Sequence, residues 1–384
     1  MRALNILHAL NDGFDASIFL LLPFIAADLH LNLTQVGFLG TLVNSLGIIF
    51  ALPAGYIAAK VGGLRTLTIA LLLYGLCFLG TGFAPNYLSL FPLFILGGLG
   101  FAVFHPIGFA LVAKLSDKVT RGRKMGNFTA IGDVGKIGIS AILTFIIVAI
   151  GWRYTSLICA LVIIVIGIIF SLRFLKRKEH PDAKAKELKQ VKLFEIISNR
   201  KFIFAMLSRA CDSFASSSLF IFLPFLLLKR AVDPALLGLF TATFFIGNFS
   251  GKIVLGRFVD KFGSAKVFIV SEVFMALFIL LLVHATSFSL IIIYSIILGI
   301  FVKGTMPVVQ TMVSEASEYH GNFEKAFGVN EFAAGIATTI APVLLGFLSD
   351  KYGIVTAFNT MALVALLAII PAFFFHLTKQ AREF

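Results

Sequence analysis

Long apolar runs, separated by short polar breaks, follow one another almost from end to end of the chain. A helix needs roughly 20 predominantly apolar residues to cross the hydrocarbon core of a bilayer. Twelve such helices fit, at about 3–28, 34–59, 66–83, 87–114, 126–150, 152–172, 202–228, 235–259, 267–285, 287–314, 326–349 and 353–377. The longest polar piece, "RFLKRKEHPDAKAKELKQVKLFEIISNRK" from Arg173 to Lys201, divides them six and six. The expected domains are therefore residues 1–172, a basic linker at 173–201, and residues 202–384.

The two groups are copies. A shift of 201 residues lays Pro23 on Pro224, Gly37 on Gly238, Gly55 on Gly256, Lys60 on Lys261, Gly62 on Gly263 and Pro106 on Pro307. "FLLLPF" (Phe19 to Phe24) falls on "FIFLPF" (Phe220 to Phe225) without a gap. The expected fold is an all-α polytopic membrane protein of two six-helix pseudo-repeat halves, and such folds bind substrate near the bilayer midplane, at the interface between the repeats.

Composition agrees: 59% of the 384 residues are hydrophobic and 13% charged, and mean hydropathy is +0.99. A soluble domain has about a quarter of its residues charged. The net charge of +13 does not point to nucleic acid, because of where it lies. With the N-terminus in the cytoplasm, 24 of the 32 Lys and Arg fall in cytoplasmic segments and termini. Four fall on the other side (Arg153, Lys229, Arg230, Lys351) and four within spans. That bias follows the positive-inside rule and puts both termini in the cytoplasm of an inner (plasma) membrane. Cys77, Cys159 and Cys211 lie at unrelated spacings in apolar segments and read as small core residues. His8, Asp12 and Asp15 interrupt the first apolar segment, so no cleavable signal peptide is expected.

"GRFVDKFGSAK" (Gly256 to Lys266) resembles the signature loop between the second and third helices of each half in the major facilitator superfamily. "GYIAAKVGGLR" (Gly55 to Arg65) is its degraded partner and "GFLSDKYG" (Gly346 to Gly353) a related piece. The resemblance implies a cytoplasmic gate made by Asp260, Lys261, Lys60 and Arg65; the acid of the first loop is replaced by Ala59, so a latch leans on Asp260. "LHALND" (Leu7 to Asp12) and "GFAVFHPIGF" (Gly100 to Phe109) further resemble the fosmidomycin-resistance group of exporters, which exchange protons for a small drug. "GDVGKIGIS" (Gly132 to Ser140) departs from that pattern: Asp133 and Lys136 replace neutral residues, and the Gly-Pro typical of proton-exchanging exporters is absent.

Ionisable residues inside a span are costly and by default functional. Eight sit deep: Asp12, Asp15, Asp133, Lys136, Arg209, Asp212, Lys252 and Lys303. They belong to helices 1, 5, 7, 8 and 10, which line the central cavity in the superfamily; Glu272 on helix 9, toward its cytoplasmic end, is the exception. Asn5, His8, Asp12 and Asp15 share an arc of about 80° on the first helix. Asp133 with Lys136, and Arg209 with Asp212, are i,i+3 pairs that read either as structural ion pairs or as gating and substrate groups. Lys252 and Lys303 have no local acid and need either a partner across the bundle or an anionic ligand, which ranks them as the better substrate candidates. Asp15, about 18 Å along its helix, ranks first as proton carrier; Asp12 ranks second, with a hydrogen bond to His8 as its alternative fate. Pro106 has its counterpart in Pro307, whereas Met306 stands where His105 is, so the pair reads as a structural kink carrying a functional His in proton or substrate handling. Glu331, about five residues into the eleventh helix, reads as a first-turn acid favoured by the helix dipole rather than as a gate partner.

No ligand motif closes a metal site from His8, Asp12, Asp15 and His105, and no cofactor is expected. No GxxxxGK[ST] occurs, which excludes ATP-driven transport by this chain alone. The expected function is proton-coupled secondary transport by a monomer in the lipid bilayer, of a small polar solute that is anionic or zwitterionic. Export of a fosmidomycin-like drug or metabolite is favoured; import of an organic anion, such as a carboxylate or carboxylate siderophore, is the alternative. A non-transporting membrane sensor is the reading from another class. An enzyme is not expected, because no nucleophile–base set sits on adjacent helices.

Overall fold

The computed structural model describes residues 2–115, 121–175, 198–317 and 323–378. Most of the basic linker expected at 173–201 lies outside the described residues. The elements are α1 (Arg2–Asp28), α2 (Leu33–Val61), α3 (Gly63–Phe83), α4 (Tyr87–Lys114), α5 (Arg121–Ile150) and α6 (Trp152–Leu175). They continue with α7 (Arg200–Ser217), α8 (Leu219–Lys229), a 3-10 turn at Pro234–Leu236, α9 (Leu237–Phe262) and α10 (Ser264–His284). The last are α11 (Phe288–Lys303), α12 (Thr305–Ser317), α13 (Phe323–Tyr352) and α14 (Ile354–Leu377). Among the described residues, twelve spans are long and apolar enough to cross a membrane, α7 with α8 forming the seventh and α11 with α12 the tenth. The outer faces of these helices expose Leu161, Leu172, Leu363, Ile370 and Phe373, a surface that lipid must cover.

Two spans expected to be continuous are broken. The seventh is interrupted at Ser218 and the tenth at Gly304. The second break puts Pro307 in the first turn of α12, where its missing N–H forfeits no intrahelical bond. Its repeat counterpart Pro106 lies inside an unbroken α4.

The chain forms two compact units, residues 1–185 with 227–242, and residues 186–226 with 243–384. In the first unit α1 packs on α5, α3 on α6 and α2 on α4. In the second, α7 packs on α13 and α10 on α14, so the one–five and three–six pairings recur as seven–eleven and nine–twelve. The segment 227–242 is held to the first unit by Thr144, whose hydroxyl donates to the Ala235 carbonyl (2.7 Å) and accepts from the Gly238 N–H (2.9 Å). The second unit's core includes Phe202, Phe268, Met312, Val313 and Phe375.

Backbone geometry carries the same repeat. Positive φ occurs at His30 (53°) and Ala231 (56°), and at Gly62 (99°) and Gly263 (84°), each pair 201 residues apart. Gly263 has ψ 153°, a region that is essentially glycine-only and costs other residues about 1–3 kcal/mol. A Cβ there would meet nothing within 4 Å, so the penalty for Gly263→Ala is conformational alone. We expect the substitution to lower thermal stability in detergent by about that amount. Gly256→Ala, in the helical part of the same loop motif and equally open, should be neutral or slightly stabilising.

Candidate functional site

The polar stripe of α1 faces α5 and α4 in the first unit. Its hub is Asp12, 3% exposed. Oδ2 of Asp12 meets the Lys136 ammonium of α5 at 2.8 Å. Oδ1 lies 3.2 Å from His105 Nε2, on α4, and 3.4 Å from His8 Nε2, one turn back on α1. Asn11 Nδ2 also donates to Oδ1, at 3.1 Å. Thus one carboxylate gathers a lysine, two imidazoles and an amide from three helices.

The approach of α5 depends on glycine. A Cβ on Gly132 would lie 2.6 Å from Asp12 Oδ2 and 2.8 Å from His8 Cε1, and one on Gly135 would collide with the Ala9 carbonyl. These glycines bring the backbones close enough for Lys136 and Asp12 to pair. Asp133, on the same helix, is 3% exposed and adds its charge to the surroundings of Lys136.

His8 is fixed on all sides. Its ring stacks between Phe128 (4.0 Å between centroids) and Phe104 (5.6 Å), with the His105 ring edge-on at 5.4 Å. Its Nδ1 lies 2.7 Å from the Phe128 carbonyl oxygen. A carbonyl only accepts, so Nδ1 carries a hydrogen. Nε2, buried and without a hydrogen-bond partner, therefore turns either a lone pair or a second hydrogen toward Asp12. Two lone pairs do not face one another stably in a dry site, so the contact asks for a proton between imidazole and carboxylate.

The three donor atoms of His8, Asp12 and His105 lie within 4.8 Å of one another, a set of the kind that holds a transition metal. Here the Lys136 ammonium already occupies the other oxygen of the same carboxylate. A buried divalent cation beside it would meet direct repulsion. The ammonium makes the set a poor place for a metal.

Asp15 stands one turn further along α1, half-buried, and accepts a hydrogen bond from the Tyr74 hydroxyl at 3.3 Å.

In the second unit Arg209 donates from Nη1 to Asp212 Oδ2 at 2.8 Å, confirming that i,i+3 pair. Its Nη2 lies 4.0 Å from Glu331 Oε2, and Gln310 donates to the other Glu331 oxygen at 3.0 Å. The Thr305 hydroxyl, placed by the break in the tenth span, donates to Asp212 Oδ1 at 3.2 Å. Arg209 and Asp212 are 8% and 0% exposed. Glu331 is not a first-turn acid: α13 begins at Phe323, two turns earlier, and the carboxylate is engaged by Gln310 beside Arg209.

The remaining candidates are spread out. Lys252 is half-buried in α9, and Lys303 is exposed at the end of α11. Lys60 and the Asp260–Lys261 pair are exposed at the ends of α2 and α9, and Arg65 is half-buried near the start of α3. Phe128, whose carbonyl and ring fix His8, was not foreseen. The repeat offered a further signal, since a shift of 201 lays His8 on Arg209 and Asn11 on Asp212.

The Major Facilitator Superfamily model matches residues 4–226 and again residues 205–384. A putative metabolite transport protein of Haemophilus influenzae is 25% identical, covering 94% of this chain and 89% of its own length. A multi-drug resistance efflux pump of Streptococcus pneumoniae is 24% identical over 91% of the chain and 89% of its own. A probable 4-methylmuconolactone transporter of Cupriavidus pinatubonensis is 34% identical over 30% of the chain and 27% of its own. Among solved structures, a bacterial homologue of the human lysosomal transporter Spinster superposes with a TM-score of 0.77. It covers 98% of this chain and 96% of its own, at 15% identity, and so speaks to the fold alone.

Proposed function

The chain belongs to the Major Facilitator Superfamily, and from that premise we propose that it is a proton-coupled secondary transporter of a small anionic or zwitterionic solute. It is a multi-pass membrane transporter and not an enzyme. Transport proceeds by alternating access between two six-helix halves, residues 1–172 and 202–384, joined by the basic linker. Both termini lie in the cytoplasm, the inner membrane is the site of action, and the chain works as a monomer. Asp260, Lys261, Lys60 and Arg65 serve the cytoplasmic gate.

The observation that carries the reading is the buried Asp12 with Lys136, His8 and His105 around it. Two buried acids, Asp12 and Asp133, stand against one lysine, Lys136. A proton held among Asp12, His8 and His105 balances that charge, and a buried cluster of this kind is a proton site in a membrane. Asp12 therefore takes precedence over Asp15 as carrier, with His105, 27% exposed at its side chain, as the member through which the proton exchanges. Lys136, Arg209, Lys252 and Lys303 supply the positive groups that favour an anionic solute, while Asp12 and Asp212 pair with two of them and Asp133 adds a negative charge beside Lys136.

Efflux is the favoured direction: the match to an efflux pump runs nearly the whole chain, and Leu7–Asp12 and Gly100–Phe109 resemble the fosmidomycin-resistance exporters. The import reading rests on Lys136, which departs from that group's pattern, and on relatives named as metabolite and 4-methylmuconolactone transporters. Purified protein in liposomes with a trapped pH dye separates them. Phosphonates, hydroxycarboxylates and carboxylate siderophores are added one at a time. Proton movement opposite to solute flux supports efflux by exchange; movement in the same direction supports import. Solute flux with no proton movement contradicts proton coupling.

A further inference from the structure

The guanidinium of Arg209, on α7, is only partly engaged. Nη1 donates to Asp212 Oδ2 at 2.8 Å, whereas Nη2 lies 4.0 Å from Glu331 Oε2, beyond hydrogen-bonding range. Nε is buried and has no hydrogen-bond partner among the described residues. Nε and Nη2 form the side edge of the guanidinium plane, a pair of N–H donors that a carboxylate accepts in a bidentate contact. Arg209 is 8% exposed, and a buried donor left unpaired is costly. At Nε, that edge has a donor to offer and no acceptor to take it.

The two acids beside Arg209 differ in how free they are to leave. Asp212 is 0% exposed and is held twice, by Arg209 on Oδ2 and by the Thr305 hydroxyl on Oδ1 at 3.2 Å. Glu331, on α13, has 47% of its side chain exposed. It also keeps a second partner, Gln310 of α12, which donates to Oε1 at 3.0 Å. Arg209, Asp212 and Glu331 together carry one net negative charge, so a further anion brought against Arg209 is repelled while Glu331 stays. A monoanion that takes the place of Glu331 leaves the charge beside Arg209 unchanged. Glu331 then turns to water and Gln310, so its release strands no buried charge.

We propose that Glu331 is a placeholder for the solute. Its carboxylate stands beside the free edge of Arg209 until a carboxylate of the solute displaces it and binds Nε and Nη2, while Asp212, itself fixed by Thr305, holds the guanidinium in place. This rests on the reading of Arg209 as a group that meets an anionic solute. Beyond that reading, the anionic group is a planar carboxylate, and Glu331 is a built-in competitor that weakens solute binding. Arg209, Asp212, Thr305, Gln310 and Glu331 all belong to the second unit.

The test is thermal unfolding of the purified full-length protein in detergent against rising concentrations of acetate, lactate or benzoate, with ionic strength held constant by chloride. At least one of the three should stabilise wild type. Glu331→Gln should reach half-maximal stabilisation at about tenfold lower concentration, a usual scale for coupling between two ligands of one site. Gln matches Glu in size and the position is half-exposed, so this variant should fold. Glu315→Gln, which removes the same charge from α12 where it meets the Ser264 hydroxyl, should keep the wild-type midpoint. Arg209→Lys, charged but without the fork, should lose the response. Equal midpoints in wild type and Glu331→Gln overturn the proposal and leave the anionic-solute reading standing. A response retained in Arg209→Lys overturns it too, as does the absence of a response in every protein. Solute and proton fluxes in liposomes judge the wider reading on their own.

Discussion

Asp12→Ala should be the most damaging single change in the first unit. It removes a carboxylate that meets Lys136 at 2.8 Å and both imidazoles within 3.4 Å. The loss takes from a buried ammonium the carboxylate it pairs with, and breaking a buried pair from one side costs about 3–5 kcal/mol. The lower end is expected here, because the Lys136 side chain keeps 21% exposure and some access to water. Thermal unfolding in detergent checks the figure. The double variant Asp12→Ala with Lys136→Met removes both charges and should regain most of the stability, with a coupling of about 1–3 kcal/mol between the two sites. It should not regain transport. Equal instability of the single and double variants would mean that Lys136 does not depend on Asp12.

Gly135→Ala is the second. One methyl group is added, yet its position collides with the Ala9 carbonyl of α1, a backbone atom that cannot rotate away. The helices must separate, and overpacking of this sort costs about 1–3 kcal/mol. The shift also draws Lys136 off Asp12, so transport should fall more than stability alone explains. Gly138→Ala, one turn along α5 and with nothing within 4 Å of the added carbon, is the matched control. It should match wild type in both assays. Similar losses in the two variants would show that helix α5 resents any substitution and that the close approach is incidental.

The parts of the fold written locally were legible in the sequence. Apolar run length marked the spans, and the 201-residue offset marked the repeat, which reappears in the backbone at His30 and Ala231. Helical periodicity also put His8, Asp12 and Asp15 on one face. Periodicity does not say which helix that face meets. The meeting of Asp12 with Lys136 and His105 depends on α5 and α4 docking there, and the key to the first is a pair of glycines, Gly132 and Gly135, that carry no chemistry of their own. Depth along α1 favoured Asp15, whereas the packing favours Asp12 because three helices converge one turn earlier. Glu331 was misread because α13 starts at Phe323, among residues too polar to count toward a span. The break at Gly304 is marked locally by Pro307, which disfavours a helix running through the turn before it, whereas Ser218 does not stop a helix by itself.

The central claim, that Asp12 is the proton carrier of the first unit, is tested most directly by solute-driven proton movement in proteoliposomes, comparing wild type with Asp12→Asn and Asp15→Asn. The account predicts that Asp12→Asn abolishes the proton signal while Asp15→Asn, whose amide oxygen can still accept from the Tyr74 hydroxyl, keeps it. A proton signal intact in Asp12→Asn and lost in Asp15→Asn would contradict it.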